Sequence, residues 1–450
     1  MCTSGESRGI PPNLVARPAY PTGAPTGTHN GGVERPDTEL LTRLAGGAGA
    51  ELLASLPPYD EAGALALGTR LRSAGHDPAL VAAALTQSRL RSAARHRLGP
   101  VADRLLLTQD GLEQATRPPV AARRALRWRA AGLEHVWDLG CGLGLDARAL
   151  AEAGLAVTAV EQDPAVAAAA RANLADLPRV RVETGDAAQA PVGPDDGAFL
   201  DPARRTPGVA DARGRTRRLF RLEDLSPSWA VVQRVAATTA ATGAKLSPGF
   251  PHAQVPDGSE AEWVSVDGSV VECALWWRSA VRSPGRRAVV GTAGTDGQVR
   301  WSEVAAPAGG AAPESLAGLA DLGPFLVEPD RAVLAAGRVD ALVARTDGQE
   351  LDHGTGYVSA ARVTRLPWAR WYAVQDTLPL HAKVVRGWLR ERGIGRVTIK
   401  KRGVPTDPDR FRSELRLRPG RDGAGEAVLV LTRVAGTPMA LVVEPVPPAG

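Results

Sequence analysis

Three glycines at alternate positions, Gly140, Gly142 and Gly144, follow the short, mostly apolar run His135–Leu139, whose one acid is Asp138. Glycine accepts sharp turns that a side chain resists, and it lets a ligand lie against bare backbone. The periodic apolar segment 147–153 then predicts a helix, whose first N–H groups lack intrahelical partners and can meet a polar ligand. Strand, tight turn and helix follow one another. A second strand pattern, 155–160, ends at Glu161. That is about 20 residues past the turn, the separation at which an acid reaches ribose hydroxyls. One carboxylate can accept from both hydroxyls. Val180–Thr184 is a third strand pattern, followed by Gly185-Asp186, and a fourth, 198–200, runs into Asp201-Pro202-Ala203-Arg204-Arg205.

Two ligand classes use such a turn. Dinucleotide sites carry Gly-x-Gly-x-x-Gly, and here the third slot is Leu145. The spacing of Asp138, Gly140, Gly142 and Gly144 instead resembles motif I of the class I S-adenosylmethionine (SAM) methyltransferases. The resemblance implies an α/β fold, a Rossmann-like class I methyltransferase sheet, with S-adenosyl-L-methionine as cofactor. It implies that Asp138 anchors the turn and the SAM amino group, that the three glycines leave room for the methionine moiety, that Glu161 meets the ribose, and that Asp186 accepts from the adenine amino group.

In that fold the residues after the fourth strand face the methyl group. Asp201-Pro202-Ala203-Arg204 resembles the Asp-Pro-Pro-Tyr motif of amino-directed nucleic-acid methyltransferases. There an acid and a proline carbonyl localise the lone pair of a conjugated amine, and the aromatic ring stacks on the flipped base. Asp201 and Pro202 are thus candidate catalytic residues. Arg204 stands where the aromatic would be, and a guanidinium plane can also stack on a base. Asp-Pro-Pro-Arg also occurs in uridine ring-carbon methyltransferases, which need a nucleophilic cysteine. Cys273 sits inside a Val/Leu/Trp strand pattern and reads as a buried thiol, and Cys141 belongs to the glycine turn. An exocyclic amine is favoured and the base stays open. The alternatives are a methyltransferase for DNA, protein or a small molecule, and a catalytically inactive RNA-binding protein that keeps the fold.

The elements that must position these residues are spread over 450 residues, enough for two or three domains. A 44% hydrophobic content supplies ordinary globular cores. The net charge of +5 permits nucleic-acid binding without requiring it. Three distant cysteines imply neither a disulfide framework nor a metal site. With no membrane-length apolar run and no secretory pattern, a cytoplasmic protein is expected.

Residues 1–35, rich in Pro, Gly, Ser and Thr, predict a disordered tail. Residues 36–131 predict a helical N-terminal region. Its end, 106–116, stands before motif I, which makes Gln114 and Thr116 weak pocket candidates. The catalytic domain is expected over 132–280. It contains an arginine-dense loop (Arg213, Arg215, Arg217, Arg218, Arg221) that could neutralise phosphates. Lys245 and Pro248 could border the pocket, and Asp267-Gly268 signals a hairpin. A linker or insertion is expected over 281–321. From 322 to 446 the chain resembles the THUMP-like domain that follows a methyltransferase domain in a family of bacterial proteins. The likeness rests on Glu328-Pro329-Asp330, Lys400-Lys401-Arg402-Gly403 and the closing strand 429–433. It implies an α+β fold and RNA as partner. Lys383, Arg386, Arg390, Lys400, Lys401 and Arg402 form a second candidate basic patch.

Overall fold

The computed structural model describes residues 38–204, 222–309, 313–417 and 425–447. The tail 1–35 and the arginines at 213, 215, 217, 218 and 221 fall outside the described residues. The chain opens with α1 (Thr38–Ala45), α2 (Gly47–Ser55), α3 (Ala64–Ser73), α4 (Pro78–Leu98), α5 (Gln109–Gln114) and α6 (Pro118–Ala130). Helix α4 starts where sequence chemistry says it should. Asp77 accepts from the Ala79 amide at 2.9 Å, and Pro78 occupies the first turn. Leucines of α1, α2 and α4 share one core with Leu143 and Leu145 of the glycine turn.

Next come β1 (His135–Leu139), α7 (Leu145–Glu152), β2 (Ala156–Glu161), α8 (Pro164–Asn173), β3 (Val180–Thr184) and β4 (Gly197–Leu200). The two-residue strands β5 (Ala203–Arg204) and β6 (Leu225–Ser226) pair with each other, and α9 (Trp229–Thr238) leads into β7 (Ala241–Leu246). Strands β3, β2, β1, β4 and β7 lie side by side in that order, all parallel. The chain order reverses between β1 and β4. In open parallel sheets a ligand crevice forms at that point, beyond the carboxyl ends of the strands.

Helix α6 is seated on this sheet through Trp128, which is fully buried. A Cβ on Gly197 of β4 would lie 3.0 Å from the indole, and one on Gly243 of β7 also 3.0 Å. Two residues without side chains thus make the socket for one large ring. Trp128 also meets Trp276 edge-on at 5.5 Å. Emptying such a socket costs about 3–5 kcal/mol.

The sheet continues with β8 (Glu260–Val266) and β9 (Ser269–Arg278), joined by Asp267-Gly268 at φ 49° and 76°. Both positive angles match the hairpin turn that Asp-Gly favours. The stretch 281–321, expected as a linker or insertion, is not a bare linker. It contains β10 (Gly285–Ala293) and β11 (Val299–Val304), which complete a nine-stranded sheet ordered β11-β10-β8-β9-β7-β4-β1-β2-β3. Strand β10 runs parallel to β8 and buries Ala288, Val289 and Val290.

The second sheet is built from β12 (Phe325–Pro329), α10 (Arg331–Ala335), α11 (Val339–Thr346), β13 (Gln349–Glu350), β14 (Val358–Ala360), β15 (Ala369–Pro379), α12 (Ala382–Glu391), β16 (Ile394–Lys401), α13 (Pro408–Leu415), β17 (Gly425–Val434) and β18 (Thr437–Pro445). Its order is β13-β14-β12-β15-β18-β17-β16. Helices α10 and α11 are separated at Gly337, whose φ of 64° ends the first. Ala332, Val333 and Ala336 bury into one core with Ala261, Trp263 and Leu275 of the first sheet. Among the described residues no helix is long and apolar enough to cross a membrane.

Candidate functional site

The amides of Gly140 and Cys141 both donate to the Val160 carbonyl, at 2.9 and 3.1 Å. This folds the turn from β1 over the end of β2. Glu161 then accepts from the Gly142 amide at 3.1 Å and, with its other oxygen, from the Asp163 amide at 2.9 Å. Gly140 has φ 87°, and a Cβ there would sit 3.3 Å from the Asp201 carbonyl oxygen. A side chain would crowd the gap between β1 and β4. Gly144 has a different part. It caps α7 and its missing Cβ leaves room for Leu174, away from the cleft.

A cleft of about 120 Å³ opens at the crossover. Gly140, Gly142, Glu161, Asp186 and Asp201 line it. Asp186 starts a short turn by accepting from the Ala188 amide at 2.8 Å, which leaves its second oxygen toward the cleft. Gln114, at the end of α5, and Thr116, just after it, also line the cleft, so the helical region forms a lid. That lid is pinned by Arg97, which donates to the carbonyls of Glu113 (2.7 Å) and Ala115 (2.6 Å).

Asp138 is 1% exposed and is not among the residues that line the cleft. Neither of its carboxylate oxygens accepts a well-formed hydrogen bond, although the Ala147 amide lies close enough to favour the charge slightly. Burial raises its pKa well above the carboxylate range, and the nearby Asp146 and Asp201 raise it further.

Of the charges around it, sequence reading named Asp201 and Lys245 and missed Arg124, Asp146 and Glu272. Arg124 of α6, 4% exposed, pairs with Asp146 and with Glu272 of β9 at 2.7 Å, and stands 4.3 Å over the Phe199 ring. Thr116 donates to the other Asp146 oxygen at 2.7 Å. Lys245 Nζ lies 2.5 Å from Asp201 Oδ2 and 3.0 Å from the Gln114 carbonyl. The reactive end thus gathers four acids, Asp138, Asp146, Asp201 and Glu272, against two cations, Arg124 and Lys245. A buried anionic surplus of this kind suits a ligand that brings positive charge. The only sequence sign of Arg124 is its place, with Arg127, among Val120, Ala121, Ala125 and Trp128.

Other expected residues are placed less tightly. Pro202 is buried, and Arg204 pairs through its backbone with Leu225. The Arg204 side chain lies outside the described residues. Cys273 is fully buried in β9, away from the cleft, and burial raises its thiol pKa well above the usual range. Pro248 does not line the cleft; its carbonyl accepts from the Trp263 indole at 3.0 Å. In the second sheet, Lys400 and Arg402 are not part of a patch with α12. Lys400 pairs with Glu328 at 2.6 Å, Arg402 approaches the same acid at 3.5 Å, and Arg402 stacks 4.4 Å over Tyr357. Alternation along β16 turns them to the face opposite α12.

Three family descriptions match the chain. A methyltransferase domain matches residues 136–200, a THUMP domain-like family matches 369–445, and a domain of unknown function (DUF8688) matches 37–94. The chain is 31% identical over 333 residues to the uncharacterized S-adenosylmethionine-dependent methyltransferase MT3122 of Mycobacterium tuberculosis strain CDC 1551 / Oshkosh. The match covers 73% of this chain and 85% of that one. It is similar to the same extent to Rv3037c, described in the same words, from strain H37Rv. Among solved structures, a methyltransferase candidate from Porphyromonas gingivalis W83 superposes with a TM-score of 0.62 at 19% identity. It covers 86% of this chain and 99% of its own, which shows a shared fold.

Proposed function

The chain belongs to the family of S-adenosylmethionine-dependent methyltransferases that carry a THUMP-like domain, and on that premise we propose that it methylates RNA at an exocyclic amine of a base. When bound, SAM supplies a methyl group on a cationic sulfur that departs as a neutral thioether. The residues present fit that cofactor. Asp138, a buried carboxylate without a strong partner, suits the cofactor's ammonium group. Glu161 keeps lone pairs for the ribose, and Asp186 keeps one oxygen for the adenine amine.

The observation that carries the acceptor assignment is Asp201-Pro202 at the end of β4, beside Gly140 at the cleft edge. A conjugated amine is a weak nucleophile. Asp201 can accept one of its hydrogens and the Pro202 carbonyl the other, which localises the lone pair toward the methyl carbon. The RNA assignment is supported by the THUMP domain-like segment 369–445, with Lys383, Arg386 and Arg390 on α12 as candidate phosphate contacts.

The test is methyl transfer from labelled SAM to total RNA of a strain lacking this gene, followed by nucleoside mass spectrometry. One labelled N-methylated nucleoside is expected, absent with Asp201→Ala. Label appearing in DNA, protein or metabolites instead would remove the RNA assignment.

A further inference from the structure

Of the 54 basic residues in the chain, only four are lysines: Lys245, Lys383, Lys400 and Lys401. One of the four stands at the reactive end of the cleft. An ammonium group is a compact point charge, whereas guanidinium is a broad planar fork. The space between Asp201 and the lid backbone is bridged at 2.5 Å on one side and 3.0 Å on the other.

We propose that Lys245 is a positioning residue for methyl transfer. Its ammonium group ties Asp201 Oδ2 to the Gln114 carbonyl of the lid and thereby leaves Oδ1 as the oxygen that receives the acceptor's hydrogen. The inference rests on Asp201 being the acceptor-binding group of the proposed reaction. Asp201 Oδ1 has no partner among the described residues, and Asp201 lines the cleft. Asp201 takes the proton that the attacking nitrogen gives up as its bond to the methyl carbon forms and the carbon–sulfur bond breaks, the electron pair staying on sulfur. From there the proton passes to water. Lys245 cannot take it. Burial works against its charge, but Asp201, Asp146 and Glu272 outweigh burial and raise its pKa, so it stays an ammonium group. The other charged group facing this cluster is Arg124, which is committed to Asp146 and Glu272.

The scarcity of lysine makes the bridge directly visible. In protein labelled at lysine Cε, carbon NMR gives four side-chain signals, and the one lost in Lys245→Arg is Lys245. That signal is expected to remain charged above the pH at which a free lysine side chain titrates, and to lose this protection in Asp201→Asn. With labelled SAM and RNA, Lys245→Met is expected to lower kcat about 100-fold, the scale of a misplaced reacting group. Its SAM affinity by calorimetry should stay within twofold, and its acid limb in the pH–rate profile should move to higher pH. Lys245→Arg should recover part of the rate.

A Lys245 signal that titrates like a free lysine side chain and ignores Asp201→Asn would overturn the proposal. So would an unchanged kcat in Lys245→Met. If the NMR bridge is present but no RNA accepts label, the substrate reading fails and the Lys245–Asp201 geometry stands.

Discussion

Two buried charge clusters lie on the same helix, and they are built on opposite principles. Three positions from Arg124, Arg127 pairs with Glu260 at 2.5 Å and Glu262 at 3.0 Å, and its neighbour Arg123 pairs with Glu262 and Glu303. Arg282 and Arg287 close the group. Here four arginines meet three glutamates, and every acid touches at least two cations. At the cleft, four acids meet two cations and Asp138 touches neither. A buried ion cluster that only holds a helix in place is compensated, because an unpaired buried charge is costly. A cluster that must receive a charged ligand is left short until the ligand arrives. The difference in compensation separates scaffold from site without reference to position in the fold.

The largest effect should come from breaking the compensated group. Burial pushes Glu262 up, but Arg123 and Arg127 overcome it and hold its pKa at about 2. Glu262→Gln strands the arginines and is expected to cost about 3–5 kcal/mol in denaturant unfolding. The sign with pH follows from the lowered value. The contribution is complete above the ordinary glutamate range and is lost as pH falls toward about 2. If Glu262→Gln left the unfolding midpoint unchanged, the scaffold half of the comparison would fail.

A smaller effect, in the reverse direction, is expected at the cleft. Above the raised pKa of Asp138, Asp138→Asn removes a buried charge without a strong partner, so the ligand-free protein should there melt at a higher temperature. Its SAM affinity by calorimetry should drop about 10–100-fold, or about 1.4–2.8 kcal/mol. A variant that melts lower and binds SAM as before would show that Asp138 is structural.

The smallest signal is a proton. Because the Asp138 pKa is raised in the folded protein, its protonated form favours folding at low pH, and that advantage is lost as pH rises through the raised value. A cationic ligand expels that proton. Calorimetry of SAM binding in buffers of different ionisation enthalpy should therefore report release of up to one proton. The release should vanish in Asp138→Asn. Proton uptake would contradict this account.

What could be read from the sequence was local. The glycine turn, the acids at 161, 186 and 201 and the Asp267-Gly268 hairpin each declare themselves within a few residues, because turn chemistry is a short-range matter. The partners of the α6 arginines lie 139 and 180 residues away for Arg123, and 148 for Arg124, so no pattern along the chain announces them. An arginine-rich helix then resembles a solvated face. Strand β10 left only the strand-like piece Ala288-Val289-Val290 in the sequence, for a related reason. Its buried stretch, 288–291, is four residues long, and it becomes a strand through β8, which pairs along its whole length. Lys400 and Arg402 belong to a basic run in one dimension and converge on Glu328, away from α12, in three.

The shared core under α10 has a last implication, for how the molecule comes apart. Trp263, Leu275 and Ala288 of one sheet lie in the same apolar cluster as Val327, Val333 and Leu342 of the other. Neither half closes its own interior. The stretch 201–368 between the two family matches therefore holds no boundary in cooperativity. A polypeptide cut near residue 320 would leave a greasy scar on the catalytic half, and heat should melt the two sheets in a single step.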